Sequence, residues 1–329
     1  MIISKTPYRI SFFGGGTDYP IWFNKYGGQV ISTTINKYVY ITCRNLPPYF
    51  DHNLKVVYRY QDYVKNVNEI RHPSVKAVLK YLKLKKNLEI HHYSDLPARS
   101  GVGSSSAFTV ALFNCLMKYN NKKISKHELA SKSIYIEQKI LKEAVGCQDQ
   151  VSVSYGGLNN IKFFNKDKFK VNKINISKSQ LNELSNNLLL FHTGIFRIAH
   201  NVSKKYIYKY DNKKKYLEKL DKLVNEGLKL LKNYDFDNFG RLLDETWNAK
   251  KNISSIISNT SINEIYTTAI SSGALGGKLL GAGGGGFILF YVPTKYQNKV
   301  KRSLRKLMHV PFDFENEGSQ IIFSENNKL

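Results

Sequence analysis

The chain has 329 residues, 42% of them hydrophobic, with 22 Tyr and 18 Phe, which is ample for a packed core and argues against disorder. The formal net charge is +25, which favours an anionic partner such as a nucleic acid, an anionic membrane surface or a phosphorylated small molecule. The lysines are scattered rather than blocked, as on solvated faces, and the densest run, 204–216, has the spacing of an exposed helix face. Cys43, Cys115 and Cys147 form no C-x-x-C pair, so a reduced, cytoplasmic chain without a structural zinc site is expected. No signal peptide is expected at the N-terminus and no stretch approaches a membrane span.

In chain order, Ile2–Phe13 alternates and reads as a strand broken by Gly14-Gly15-Gly16. Residues 29–44 read as one or two further strands. A helix is expected over 72–82, with Val75, Val78, Leu79 and Leu82 on one face, and a short strand over 88–92. Ser104–Tyr119 reads as a helix that is apolar nearly all round, hence buried. Ser125 and Glu128 read as a capping box opening a helix that runs to Lys142. Residues 163–187 are polar and mark a domain boundary, giving domains 1–175 and 176–329. Strand 188–192, helices 213–233, 239–251 and 262–271, strand 287–291 and a basic helix 295–307 follow. Strands and helices mix without strict βαβ alternation, so the class is α+β.

Three glycine-rich stretches carry the chemistry. P-A-R-S-G-V-G-S-S-S-A (97–107) sets small residues directly ahead of a buried helix, where backbone N–H groups and the helix N-terminus favour phosphate. It lacks the Lys of the usual phosphate loop, and a tight strand-to-helix turn is its plain structural alternative. Gly281-Ala282-Gly283-Gly284-Gly285-Gly286 puts five glycines in six residues, tolerated where a backbone or a ligand comes close, or in a bulged hairpin turn. Gly14-Gly15-Gly16-Thr17-Asp18-Tyr19 offers an Asp that binds sugar hydroxyls or caps a helix. Glu137 and Asp149, with Gly146 between them ending the helix and Asp149 in the loop beyond, suit phosphoryl transfer, one carboxylate on a metal and one on the acceptor hydroxyl. An ion pair for Glu137 with Lys139 or Lys142 and a turn cap for Asp149 are the structural alternatives.

P-Y-R-I-S-F-F-G-G-G-T-D-Y, P-A-R-S-G-V-G-S-S-S-A, G-C-Q-D-Q-V-S-V-S-Y-G-G and K-L-L-G-A-G-G-G-G-F, in this order across roughly residues 5–290, resemble the GHMP kinases. The resemblance implies an N-terminal domain like ribosomal protein S5 domain 2 and a ferredoxin-like C-terminal domain, with ATP and acceptor meeting between them. It further implies that Gly101, Val102, Gly103, Ser104, Ser105 and Ser106 hold the ATP phosphates. Ser105 and Glu137 would ligate Mg²⁺, and Asp149 would be the catalytic carboxylate with Arg9 beside it. Gly15, Gly16, Thr17 and Asp18, with Gly283 and Gly284, would contact the sugar, and Gly281–Gly286 would floor the site. The G-E-H-T-D-Y of galactokinase-like members is absent, and G-G-G-T-D-Y-P, F-H-T-G-I-F-R and W-N-A-K-K look like the branch of D-glycero-D-manno-heptose 7-phosphate kinases. That branch phosphorylates the anomeric O1 to the 1,7-bisphosphate for nucleotide-activated heptose and surface polysaccharide.

A phosphorylated acceptor needs a second anion site. The candidates are Arg197, His200, Lys250 and Lys251, with Arg99 behind them. His52, His72, His91, His92, His127 and His309 show no metal-ligand spacing and read as structural. The expected partners are ATP and a sugar phosphate, with no nucleic acid and no membrane, in a monomer or homodimer. Two alternatives stand: another GHMP sugar 1-kinase, fucokinase- or galactokinase-like, and a basic RNA-binding protein with an S5-like domain.

Overall fold

The computed structural model describes residues 1–85, 87–195 and 213–325. Two antiparallel-dominated sheets organise it. Among the described residues the larger has nine strands in the order β13 (Gln320–Ser324), β1 (Ile2–Phe13), β2 (Gly28–Asn45), β5 (Leu88–Ser94), β3 (Leu54–Val57), β4 (Gln61–Val64), with β6 (Asn159–Phe164) and β12 (Phe314–Glu315) also on β2 and β7 (Lys168–Lys173) beyond β6. Strand β1 (Ile2–Phe13) is buried over most of its length. Strand β2 (Gly28–Asn45) is one continuous strand of 18 residues. One edge of β2 pairs β1 between Ile31 and Cys43; the other takes β6 (Asn159–Phe164) early, β12 (Phe314–Glu315) midway and β5 (Leu88–Ser94) late. The β3 (Leu54–Val57)–β4 (Gln61–Val64) hairpin joins through β3, which lies parallel to β5.

Helix α3 (Ser104–Tyr119) lies across β1 and β2, under α2 (Pro73–Tyr81), α4 (Lys126–Tyr135) and α5 (Gln148–Tyr155). Twelve consecutive residues of α3, Ser106 to Met117, are buried. That is why its apolar residues show no single face: a helix covered on all sides needs none.

The smaller sheet runs β11 (Met308–His309), β8 (Leu188–His192), β10 (Phe287–Tyr291), β9 (Gly276–Leu279), all antiparallel. Helix α8 (Phe236–Lys251) packs on its strands β9 and β10, α7 (Lys214–Lys232) packs on α8 and on β1 and β2 of the larger sheet, and α9 (Thr260–Ser271) packs with α10 (Thr294–Ser303). The class is the expected α+β. Phe239 of α8 meets Phe12 and Phe13 edge-on, with ring centroids 5.3 and 4.9 Å apart, so the second unit rests on the end of β1 where the first glycine turn begins.

The polar stretch 163–187 is not a plain linker. It holds most of the β6–β7 (Lys168–Lys173) hairpin and α6 (Lys178–Asn186), opened by a full capping box of Ser177 and Gln180. A division near 175 falls just after β7, but β12 and β13 (Gln320–Ser324) return to pair β2 and β1, so the end of the chain belongs to the first sheet. Residues 204–212 of the basic run lie outside the described residues.

Candidate active site

The serine loop leaves β5 and turns at Gly101 (φ +88°) and Gly103 (φ +77°), each needing the left-handed region that glycine supplies cheaply. Gly103 caps α3, and its carbonyl accepts the Ala107 N–H at 2.8 Å, which leaves the first N–H groups of the helix without intrahelical partners. Strand β1 fixes the loop from below: Arg9 donates its backbone N–H to Val102 O at 3.2 Å and Nη1 to Gly101 O at 2.7 Å.

The second glycine loop packs backbone to backbone against this one. A Cβ on Gly281 would fall 2.6 Å from Gly101 Cα, and one on Gly286 would fall 2.2 Å from Ser100 O. Phe287 N–H donates to Ser100 O at 2.9 Å, Gly284 N–H to Ile257 O and Gly286 N–H to Ile195 O, both at 2.8 Å. Its glycine content is thus explained by chain packing, and at Gly283 the crowding atoms are Ile257 Cα and O.

Asp149 is the second residue of α5, not a loop residue as its spacing from Gly146 suggested. Its two oxygens accept from Arg9 Nε (2.7 Å) and Nη2 (2.8 Å), a bidentate pair in which Arg9 is 3% exposed and Asp149 24%. Asp149 Oδ2 lies 3.3 Å from where a Gly103 Cβ would be, so the carboxylate abuts the serine loop.

Glu137 sits in a single π-helical turn, Ile136–Ile140, that ends α4; such turns widen a helix and re-aim one side chain. It is fully buried, and Oε2 accepts from Ser106 Oγ at 2.9 Å and from Gln150 Nε2. Oε1 has no partner among the described residues. Burial, with the Glu143 charge nearby, pushes the carboxyl up to about 7. A free buried carboxylate oxygen beside a hydroxyl is a hard-oxygen donor set of the kind Mg²⁺ takes, so these residues fit that ion. Ser106 is the serine that reaches Glu137, while Ser105 is exposed on the first turn of α3.

In the first glycine turn, Thr17 Oγ1 is buried and engaged with Gly14 O (2.9 Å) and Gln29 O (3.0 Å), so it locks the turn. Asp18 is 1% exposed; it accepts the Gly16 N–H at 3.0 Å and the Gln148 N–H at 3.2 Å. It therefore ties the turn to the start of α5. Burial pushes its carboxyl above the ordinary value, with the Asp149 charge adding to the effect.

Two lysines are buried close by. Lys250 donates Nζ to Gly281 O; burial and then the Arg9 charge lower it to about 8. Lys278, on β9, donates to Phe12 O at 2.8 Å; burial, Lys250 and Arg9 push it well below its ordinary value. Lys278 was not anticipated, although a lone charge inside the apolar run G-G-K-L-L was its signal. Gln150, unanticipated too, has no signal beyond its place one residue after Asp149. Lys251 points elsewhere, 5.8 Å from the Trp247 and Tyr266 rings. Arg99 is exposed and donates its N–H to Ser104 Oγ at 3.0 Å. Arg197 and His200 lie outside the described residues. The six histidines expected to be structural sit against aromatic rings or, for His91, against Glu89 as well. No helix among the described residues is long and apolar enough to cross a membrane.

Family models for the GHMP kinases N terminal domain and the GHMP kinases C terminal region match residues 68–157 and 228–310, together more than half of the chain. A D-glycero-alpha-D-manno-heptose 7-phosphate kinase of Campylobacter jejuni is 31% identical over 96% of this chain and 97% of its own length. The bifunctional fucokinase/GDP-fucose pyrophosphorylase of Arabidopsis thaliana is 26% identical over 94% of this chain and 31% of that protein. Among solved structures, a D-glycero-D-manno-heptose 1-phosphate kinase from Bacteroides thetaiotaomicron superposes with a TM-score of 0.81 at 24% identity, covering 98% of this chain and all of that one.

Proposed function

The chain belongs to the GHMP kinase family and is an ATP-dependent sugar-phosphate kinase; from that premise we propose that its acceptor is D-glycero-D-manno-heptose 7-phosphate, phosphorylated at the anomeric O1. The observation that carries the acceptor assignment is the 31% identity to a heptose 7-phosphate kinase over nearly the full length of both chains.

The geometry supports a division of labour. The N–H groups opening α3 would bind ATP phosphate oxygens, with Gly101–Ser106 wrapped around them. Asp149, fixed by the two prongs of Arg9, would orient the acceptor hydroxyl and take its proton. Glu137 and Ser106 would hold Mg²⁺, with Ser105 beside them on α3; when bound, Mg²⁺ neutralises charge on the transferred phosphoryl group. Lys250 puts a buried positive charge near Arg9, Asp18 and Asp149, where it would offset negative charge brought by the substrates.

The test is the product. With ATP, Mg²⁺ and heptose 7-phosphate, phosphorus NMR should show a second phosphate coupled to the anomeric proton. A second phosphate at any other carbon would remove O1 from the account. A fucokinase-like reading is favoured by the Arabidopsis relative and predicts turnover of L-fucose instead.

A further inference from the structure

Among the described lysines only Lys250 and Lys278 are buried, and Lys278 is the deeper, at 2% exposure. It stands on β9 opposite Leu289 of β10 and reaches across to the larger sheet, where Nζ donates to Phe12 O at 2.8 Å. Phe12 falls where the β1–β2 register shifts, and Lys278 supplies a donor to its carbonyl.

Its surroundings hold no counter-ion in contact with it. Neither buried lysine forms an ion pair among the described residues, and each donates to a backbone carbonyl instead. The charged groups facing Lys278 are Lys250 from α8, Arg9 from β1 and Asp18 from the first glycine turn. Asp18 is taken up by the Gly16 and Gln148 N–H groups. Asp244, where α8 crosses β9 at Gly276, accepts from Tyr266 Oη and from Asn248 Nδ2. An ammonium buried beside two other cations with no carboxylate in contact is costly, and such a group sheds its proton. The amine that remains still has N–H donors for Phe12 O. Burial, then the Lys250 and Arg9 charges, push Lys278 well below its ordinary value against the pull of Asp18.

We propose that Lys278 is an uncharged amine in the substrate-free protein and takes a proton from solvent when nucleotide phosphates bind. The two cations that face it both touch the glycine loops. Arg9 donates to Gly101 O, and Lys250 donates to Gly281 O, whose residue rests on Gly101. Phosphates held at the start of α3 bring negative charge to these same loops, offset Arg9 and Lys250, and so remove the repulsion that keeps Lys278 uncharged. The incoming proton forms one more N–H bond on Nζ. Lys278 is a positioning residue that acts through charge: uncharged, it spares the empty site a third buried cation, and protonated, it answers the charge of the bound phosphates. The inference rests on the kinase reading.

The experiment counts protons. ADP with Mg²⁺ is titrated calorimetrically at pH 7.5 in buffers of different ionisation enthalpy, into wild type, Lys278→Met and Lys278→Arg, whose guanidinium keeps its charge throughout. The wild type should take up about half a proton or more per nucleotide beyond either variant. A proton lost from Glu137 to the metal, or gained by Lys250, enters all three counts and drops out of the difference. Equal counts in the three proteins overturn the inference and leave the kinase reading standing. A second measurement needs no stable variant. In wild type labelled at lysine Cε, carbon NMR at pH 7 should show one methylene in the uncharged position, moved to the charged position by ADP with Mg²⁺. If every lysine is charged at pH 7 in the empty protein, or if that signal stays uncharged with nucleotide bound, the inference is overturned. No binding of ADP by the folded wild type overturns the nucleotide reading and the linkage together.

Discussion

Arg9 and Asp149, 140 residues apart in sequence, meet in a two-pronged ion pair of 2.7 and 2.8 Å, and the remaining guanidinium nitrogen holds Gly101 O at 2.7 Å. One side chain from β1 thus sets both the carboxylate and the loop beside it. Asp149→Asn should lower kcat by about 10²–10⁴-fold while ATP affinity, measured by calorimetric titration, stays within a few-fold. Arg9→Lys keeps the charge but loses the fork, so it should lower kcat with little change in either KM. An active Asn variant would take Asp149 out of the mechanism.

Gly281 rests on Gly101, with φ +70° and only 2.6 Å between the place of its Cβ and Gly101 Cα. Gly281→Ala must therefore move one glycine loop off the other. It should cost about 1–3 kcal/mol of stability in denaturant titration and raise ATP KM at least tenfold. A variant with wild-type ATP KM would show that the contact between the loops does not shape the nucleotide site.

Burial pushes the Glu137 carboxyl up to about 7 in the fold, from an ordinary value of 4.5. Between those pH values the unfolded chain has released a proton that the folded chain keeps. Metal-free stability should therefore fall as pH rises through this window, by up to about 3 kcal/mol at pH 8. Glu137→Gln should be more stable than wild type at pH 8, with the gap closing towards pH 5, and Mg²⁺ should stabilise only the wild type. Denaturant titrations at pH 5, 6.5 and 8 check this; a gap independent of pH would contradict it.

Lys250 and Lys251 are adjacent but face different surroundings. Lys250 is buried against Gly281 O near Asp149, whereas Lys251 lies over the Trp247 and Tyr266 rings. Lys250→Met should lower kcat/KM by about 100-fold or more. Lys251→Met should leave activity within twofold and cost about 0.5–1 kcal/mol of stability, the value of a weak cation–π contact. Equal losses in both variants would contradict the assignment. Wild-type activity should also fall above about pH 8 as Lys250 loses its proton.

Much of this architecture is legible in the chain itself. Strands over 2–13, 188–192 and 287–291 and the helix over 104–119 emerge with their observed bounds, because period-2 patterning or dense apolar runs mark them locally. Helix α5 was hidden: it has no side-chain cap, and Gly146 suggested a loop. That glycine has a tertiary cause, since a Cβ there would fall 1.9 Å from Asp18 Oδ2. The π turn at Glu137 and the preference for Ser106 over Ser105 depend on where one helix meets another, which spacing alone does not encode. The last glycine loop read as a place where a backbone or a ligand comes close, and the backbones of Ser100, Gly101, Ile195 and Ile257 do come close there.

The most direct measurement is ADP release from ATP and Mg²⁺ with D-glycero-D-manno-heptose 7-phosphate, the unphosphorylated heptose, galactose, L-fucose and mevalonate offered separately. Turnover confined to the 7-phosphate is the predicted result. Equal or faster turnover of a free sugar or of mevalonate would contradict the assignment.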